Sequence, residues 1–185
     1  LFRRVLGDVF DRLPASVREV HGSARGATST GRGRARGATN PVARIARLGL
    51  GLPSPGAYPR LAVTVAPDAA GEAWTRAFGA GAFTSRLRPG RDLGQFEERF
   101  GPLRFTFEAE PMANGFRWRF VSCRAGPIPL ARWLAPRIRA RAFDMDGTYR
   151  FSVAVAHPIV GLMFAYAGRL SGPAAGPIQR PVSTL

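Results

Sequence analysis

The spacing of apolar positions divides the chain into a helical opening and a long run of strands. Phe2, Val5, Leu6, Val9, Phe10 and Leu13 recur at i, i+3, i+4 and i+7, which gathers them on one stripe of a helix over residues 2–13. Pro14 interrupts that helix. Ser16 with Glu19 has capping-box spacing and predicts a second short helix ending near His21 and Gly22. His21 is then expected to be an exposed helix-end residue, where the helix dipole favours its protonated form. Residues 22–38 are Gly-rich, and their small residues alternate with Arg32, Arg34 and Arg36, which suits a strand with a bare face or a loop. Asn40-Pro41 then supplies a cap and a first helical position. The short helix that follows has Val42, Ile45 and Leu48 on one side and stops at Gly49, Gly51 and Pro53; it reads as a lid or as a packing helix.

From Leu61 onward the pattern has period two. Leu61, Val63 and Val65 share one face, Trp74 and Phe78 another, then Phe83, Ser85 and Leu87, then Phe96, Glu98 and Phe100. The strongest unit is the hairpin over residues 103–123. Its first arm places Leu103, Phe105, Phe107 and Ala109 on one face, and its second places Phe116, Trp118 and Phe120 on one face. Pro111 cannot donate to a ladder and Asn114-Gly115 tolerates positive φ, so the reversal belongs between them. A Pro-punctuated apolar segment, residues 126–136, is expected to hold one helical turn. A second hairpin turns at Asp146-Gly147, with Tyr149, Phe151, Val153 and Val155 in phase. Leu162, Phe164 and Tyr166 make a last strand, and residues 171–185 have no period and are expected to form a flexible tail.

These elements predict an α+β domain over residues 1–170: helices in 1–21, a Gly/Arg-rich strand or loop and lid-like helix in 22–60, and antiparallel strands in 61–170. About eight or nine strands at short spacing, preceded by helices, favour a meander. Twist accumulates along a meander and open edges are a liability, so it should curl into a curved sheet or a partly closed β-barrel. The order of elements is similar to calycin-like barrels or half-barrels, a likeness of architecture that assigns no function.

Composition changes this picture in three places. The formal net charge is +15, and all 27 basic residues are arginine. Without lysine, Schiff-base and P-loop lysine chemistry are excluded. The arginines are spread over the polar positions of most elements rather than gathered on one stripe with stacking aromatics, which argues for solvated faces over nucleic acid. A basic surface for RNA or for an anionic membrane is kept as a third, weaker reading. Cys123 is the single cysteine, which fits a reducing, cytoplasmic setting, and with only His21 and His157 beside it no metal site and no cofactor is expected. No apolar run approaches the ~20 residues of a membrane-spanning helix. A chain opening on Leu1 is expected to be processed or cut from a longer polypeptide.

Candidate chemistry comes from polar groups in phase with apolar faces. Arg76 lies between Trp74 and Phe78, Glu98 between Phe96 and Phe100, and Ser85 between Phe83 and Leu87. His157 continues the Tyr149 series, and Tyr166 closes the last one. If these faces look inward, Arg76, Glu98, His157 and Tyr166 share an interior walled by Trp74, Phe105, Phe107, Phe116, Trp118 and Phe120. A buried Arg76 and Glu98 must then pair or hold a ligand, because an isolated buried charge costs several kcal/mol. That is the build of a small-molecule site, and the first expectation is a non-catalytic domain that binds a hydrophobic or lipid-like molecule. The competing reading is a phase slip that exposes these residues at strand ends. No nucleophile elbow or catalytic triad sequence occurs, so no catalytic residue is assigned; acid-base work by Glu98 with Arg76 and His157 requires the three to converge, and without that no activity by this chain alone is expected.

The stretches FRRVLGDVFDRLPASVREVH, EAWTRAFGAGAFTSRL, FEERFGPLRF, GPIPLARWLAP and GTYRFSV with GLMFAYAGRL resemble a bacterial family of domains of unknown function. The matching positions include His21, Trp74, Arg76, Phe78, Glu98, Gly101, Pro129, Pro136, Gly147, Tyr166 and Gly168. Members of that family often lie C-terminal to a saccharopine-dehydrogenase-like or short-chain-dehydrogenase-like NAD(P)-binding domain. The resemblance therefore implies a second expectation, an accessory or substrate-recognition domain serving an oxidoreductase in cis or in trans. No GxGxxG fingerprint lies in this chain, so such a domain would lie outside it.

Overall fold

The computed structural model describes residues 1–22, 26–37, 41–49 and 51–173. The helical opening is in three pieces: α1 (Phe2–Leu6), a 3-10 turn (Gly7–Arg12) and α2 (Ala15–His21). The single helix expected over 2–13 breaks at Gly7, whose φ of 55 leaves the right-handed region. The break lets Phe2, Phe10 and Val17 bury together without the limits of one straight cylinder. The strand or loop expected in 22–38 is a strand, β1 (Ala27–Gly37), and the short helix α3 (Pro41–Gly49) follows it. The Asn40 cap and residues 174–185 of the expected tail lie outside the described residues.

The remaining strands are β2 (Gly56–Asp68), β3 (Gly71–Phe78), β4 (Gly81–Pro89), β5 (Gln95–Phe100), β6 (Leu103–Met112), β7 (Gly115–Ala125), the two-residue β8 (Ile128–Pro129), β9 (Arg137–Met145), β10 (Thr148–His157) and β11 (Gly161–Leu170). Each pairs antiparallel with its successor, except that β7 passes over β8 to pair with β9, and β11 returns to β1. Ten strands thus close into an up-and-down barrel, with β8 appended to β7. The curved or partly closed sheet expected from the pattern is a closed one, and closure pairs β11 with β1 and, over Gly115 to Trp118, β7 with β9, which removes most of the edge that a meander of this length would leave open. The count exceeds eight or nine because β1 supplies the closing strand from Gly- and Arg-rich sequence with little apolar signal, and because β8, two residues in a Pro-punctuated apolar segment, is too short to show period two.

Turns follow local chemistry with one departure. Asp146 and Gly147 take φ of 54 and 72, as a tight hairpin needs. The β6–β7 reversal falls at Ala113 and Asn114, between Pro111 and Gly115, but neither Asn114 nor Gly115 has positive φ. Asn114 instead ties this turn to β9: its Nδ2 donates to the Asp144 carbonyl at 2.9 Å, and its own carbonyl accepts from Asp144 N at 2.8 Å.

In an up-and-down barrel, alternate connections share an end. The links after β1, β3, β5, β7 and β10 lie at the lid end, which α3 partly covers by resting on β11 and β1. The opposite, helix end receives α1 and α2. There Phe2 is fully buried, with its ring 6.1 Å from Trp74, 5.3 Å from Phe96 and 5.1 Å from Phe116. The N-terminal helices are therefore a plug whose lead side chain reaches between strands from both sides of the barrel. No helix is long and apolar enough to cross a membrane among the described residues.

Candidate functional site

Inward positions of the strands alternate with outward ones, and β3 shows the rule without interruption: Glu72, Trp74, Arg76 and Phe78 are buried while their neighbours are not. Arg76 thus points into the barrel at mid-height, 6% exposed, and Glu98 on β5 does the same at 8%. The pair is separated by β4, and Arg76 spans it. One Arg76 Nη donates to Ser85 Oγ at 2.8 Å, and the other stands 3.5 Å from Glu98 Oε1. The guanidinium carbon also lies 5.6 Å from the Trp74 ring centroid and 5.5 Å from that of Phe83. These aromatic faces help offset the desolvation of a buried cation. No phase slip exposes either ion. Burial of the two together is tolerable because each compensates the other, whereas either alone would be costly.

Two spaces flank this pair. Toward the lid lies a cavity of about 90 Å³, lined by Arg76, Glu98, Phe83, Phe105, Trp118 and Tyr166, with Val155 and Phe164 nearer the mouth and Arg47 and Leu52 from the α3 segment at its roof. Toward the plug lies a chamber of about 40 Å³, lined by His21, Trp74, Arg76, Trp118, Tyr149 and Tyr166 among others. Arg76, Trp118 and Tyr166 border both, so the polar pair stands at the waist between a larger apolar space and a smaller one.

Tyr166 belongs to this waist. Its ring packs 5.5 Å from Phe78, 5.9 Å from Phe83 and 5.8 Å from Phe151. Burial pushes its hydroxyl up to about 12, so it stays a neutral donor. That hydroxyl has no hydrogen-bond partner among the described residues, and the Arg76–Glu98 contact at 3.5 Å is too long for a hydrogen bond. The waist thus holds unspent donor and acceptor capacity beside an apolar space.

The predicted residues divide between lining and core. Arg76, Glu98, Phe105, Trp118 and Tyr166 line the lid-side cavity, and Trp74 lines the inner chamber. Phe107 and Phe116 are fully buried and pack against other rings, Phe107 on Phe96 at 5.4 Å and Phe116 on Phe2. Phe120 is half-buried, 6.4 Å from Phe107. His157 does not join Arg76 and Glu98. It sits at the lid end, where one ring nitrogen lies 3.1 Å from the Leu134 carbonyl and the other accepts from Ile159 N at 3.2 Å.

His21 departs most from its sequence reading. It is buried, boxed by Phe2 at 4.7 Å, Phe116 at 4.9 Å and Trp74 at 5.1 Å, with Nε2 3.0 Å from the Tyr149 hydroxyl. Burial, then the positive charges of the N-terminal amine and of Arg76, bring its pKa down to about 3, so the ring is neutral rather than dipole-protonated. Its Nδ1 is buried without a partner. Glu72, also buried, accepts from the Trp74 indole at 2.9 Å. The signal for Glu72 is in the sequence, two residues before Trp74 and in phase with it. Tyr149 carries the same signal. Only the plug, which no periodicity reveals, explains why His21 is inside.

Cys123 is buried too, and burial pushes its thiol up to about 11. It turns inward because β7 carries one extra residue between Phe120, paired with Phe107, and Cys123, paired with Phe105. Among the described residues no three of His, Cys, Asp and Glu gather closely enough to hold a metal ion.

A family model described as a domain of unknown function (DUF4166) matches residues 13–170. No curated protein matches the chain.

Proposed function

The chain belongs to the DUF4166 family, whose description assigns no activity, and from the geometry of its barrel we propose that it binds a hydrophobic, lipid-like small molecule without transforming it. The observation that carries the reading is the lid-side cavity: apolar walls leading to Arg76, Glu98 and a Tyr166 hydroxyl that lacks a partner among the described residues. Pockets of this kind bury an apolar body and fix a few polar atoms. The polar head of the ligand would lie at the waist and its apolar part toward the lid. A space of about 90 Å³ takes a small apolar group as it stands, so a longer chain requires α3 and the side chains of the mouth to give way. The reading as an accessory domain of an oxidoreductase rests on the resemblance alone, and no structural observation adds to it.

The test is titration of the full chain with a monomeric fluorescent fatty acid, read through quenching of tryptophan emission. Binding is expected. Val155→Trp, which fills the mouth of the cavity, should abolish it, and Tyr166→Phe should weaken it about tenfold, the loss of one buried hydrogen bond. Both variants should keep the unfolding temperature within a few degrees. Saturable binding that neither substitution changes would place the probe elsewhere and defeat the reading.

A further inference from the structure

Large apolar side chains are exposed mainly at one end of this barrel. Ile45 and Leu48 of α3 are 71% and 68% exposed. Ile128 and Trp133, in the link after β7, are 63% and 60% exposed, and Ile159 and Leu162, at the β10–β11 turn, are also open. All six lie at the lid end, around the mouth of the cavity. At the helix end only Leu93 and Met145 compare, among the described residues. The orientation of α3 is the telling feature. Ile45 and Leu48 are three apart and share a face, and a packing helix would turn that face onto the barrel. Here it faces outward, while Arg47 and Leu52 look toward the cavity.

Charge is segregated along the same axis. No Asp or Glu occurs in residues 20–67, 111–143 or 147–185, the segments that supply every major lid-end connection. The carboxylates sit on the plug helices, on or beside the helix-end turns, inside the barrel as Glu72 and Glu98, or along β5 and β6. Around the mouth, Arg36, Arg44, Arg132 and Arg137 have no carboxylate partner among the described residues. Exposed apolar residues that include a tryptophan, interleaved with unpaired arginines (Arg44 beside Ile45, Arg132 beside Trp133), have the composition of an interfacial membrane contact. Outward positions on the wall, such as Arg117, Arg119, Arg139 and Arg141, are charged where a membrane-spanning barrel would carry an apolar band.

We infer that the lid end docks on the surface of an anionic bilayer, with Ile45, Leu48, Trp133 and Ile159 entering the interface and the surrounding arginines meeting lipid headgroups. This rests on the reading of the cavity as a lipid-like site and deepens it: the mouth faces the phase from which the ligand comes. Charge complementarity chooses the bilayer over a second copy, because two lid ends brought together would oppose unpaired arginines to one another.

The experiment is flotation of the full chain with phosphatidylcholine vesicles and with vesicles containing about one-third phosphatidylglycerol, at about 0.1 M salt. Partition into the anionic vesicles is expected, with little into the neutral ones. The double variant Ile45→Ser/Leu48→Ser, and separately Trp133→Ser, should lower it about tenfold or more. Leu93→Ser, at the far end, should leave it unchanged. All these side chains are exposed, so the variants should fold, and an unchanged unfolding temperature verifies it. Absence of flotation, or flotation that the rim substitutions do not alter, overturns the inference. So does a concentration-dependent dimer that the rim substitutions dissolve without any vesicle binding. The soluble fatty-acid titration separates the two readings: probe binding without flotation removes the docking face alone, and flotation without probe binding removes the ligand reading alone.

Discussion

A single histidine shows how far residue identity and residue role can diverge. His21 is the last residue of α2, and its position alone implies a solvated, readily protonated ring. The plug places it among four aromatic rings, where desolvation, with the positive charges of the N-terminal amine and Arg76 adding to it, brings its pKa from 6.5 to about 3. The consequence for stability has a definite sign. Between those two values the unfolded chain binds a proton that the folded chain refuses, so stability rises with pH across the window. It is fully present above about pH 6.5 and declines as pH falls, by about 1.4 kcal/mol for each unit the folded state resists. Urea unfolding between about pH 7 and pH 5, above most carboxylate titration, should show this slope, and His21→Gln should flatten it. An equal slope in wild type and variant would mean that His21 titrates normally and is not enclosed. Arg76 and Glu98 are the opposite case. Both are legible as inward residues because strict alternation around Trp74, Phe78, Phe96 and Phe100 leaves a charged side chain nowhere else to go.

At the scale of elements, alternation makes β2 to β7, β9, β10 and β11 readable, and it fails where pairing alone makes the strand. β1 has few apolar residues, and its place is set by ladders to β2 and β11 that its sequence does not advertise. The β7–β9 seam is likewise invisible in the pattern, since it skips β8 and pairs only Gly115 through Trp118 with Phe143 through Ala140. Closure there depends on Gly115. A Cβ built on it would stand 2.1 Å from the Ala142 carbonyl oxygen, a backbone atom that cannot move aside. Gly115→Ala should therefore part the seam and cost about 2 kcal/mol, in the range of overpacking strain. Hydrogen exchange should rise at Phe116, Trp118 and Ala140 rather than throughout the barrel. Gly147→Ala offers a comparison: its φ is positive but no atom lies within 4 Å of the added Cβ, so only local turn strain, of roughly 1 kcal/mol, should follow. Equal costs with unchanged exchange at the seam would show that Gly115 serves its turn and not the closure.

The whole molecule is a barrel polarised along its axis, sealed by aromatic packing at one end and cationic at the other. Its surface ion pairs gather on the acid-bearing side, as Arg3 with Asp11, Arg88 with Glu97, and Arg117 with Glu110. Exposed pairs of this kind contribute little to stability, and salt weakens them. Against them stands the mutual repulsion of arginines with no counter-charge. It includes those lining an outer cleft of about 820 Å³ across β1 and β7 to β11, where Arg34, Arg36, Arg139 and Arg141 flank a floor of Ser152, Ala154, Ala165 and Ala167. With a net charge of +15, repulsive pairs outnumber attractive ones, and summed over the surface repulsion outweighs attraction. Screening should then stabilise the fold. Raising sodium chloride from about 0.02 to 0.3 M shortens the screening length from roughly 20 Å to roughly 6 Å, which weakens repulsion between exposed charges. If about 1 kcal/mol of repulsion is relieved, the unfolding temperature rises by roughly 2–4 °C for a chain of this size. Arg36→Gln/Arg139→Gln should raise the low-salt value and shrink the salt response, because it removes repelling charges from both flanks. A temperature that instead falls with salt would give the balance to the ion pairs beside β5 and β6, and the arginines of the lid end would then be held apart widely enough to be indifferent to one another.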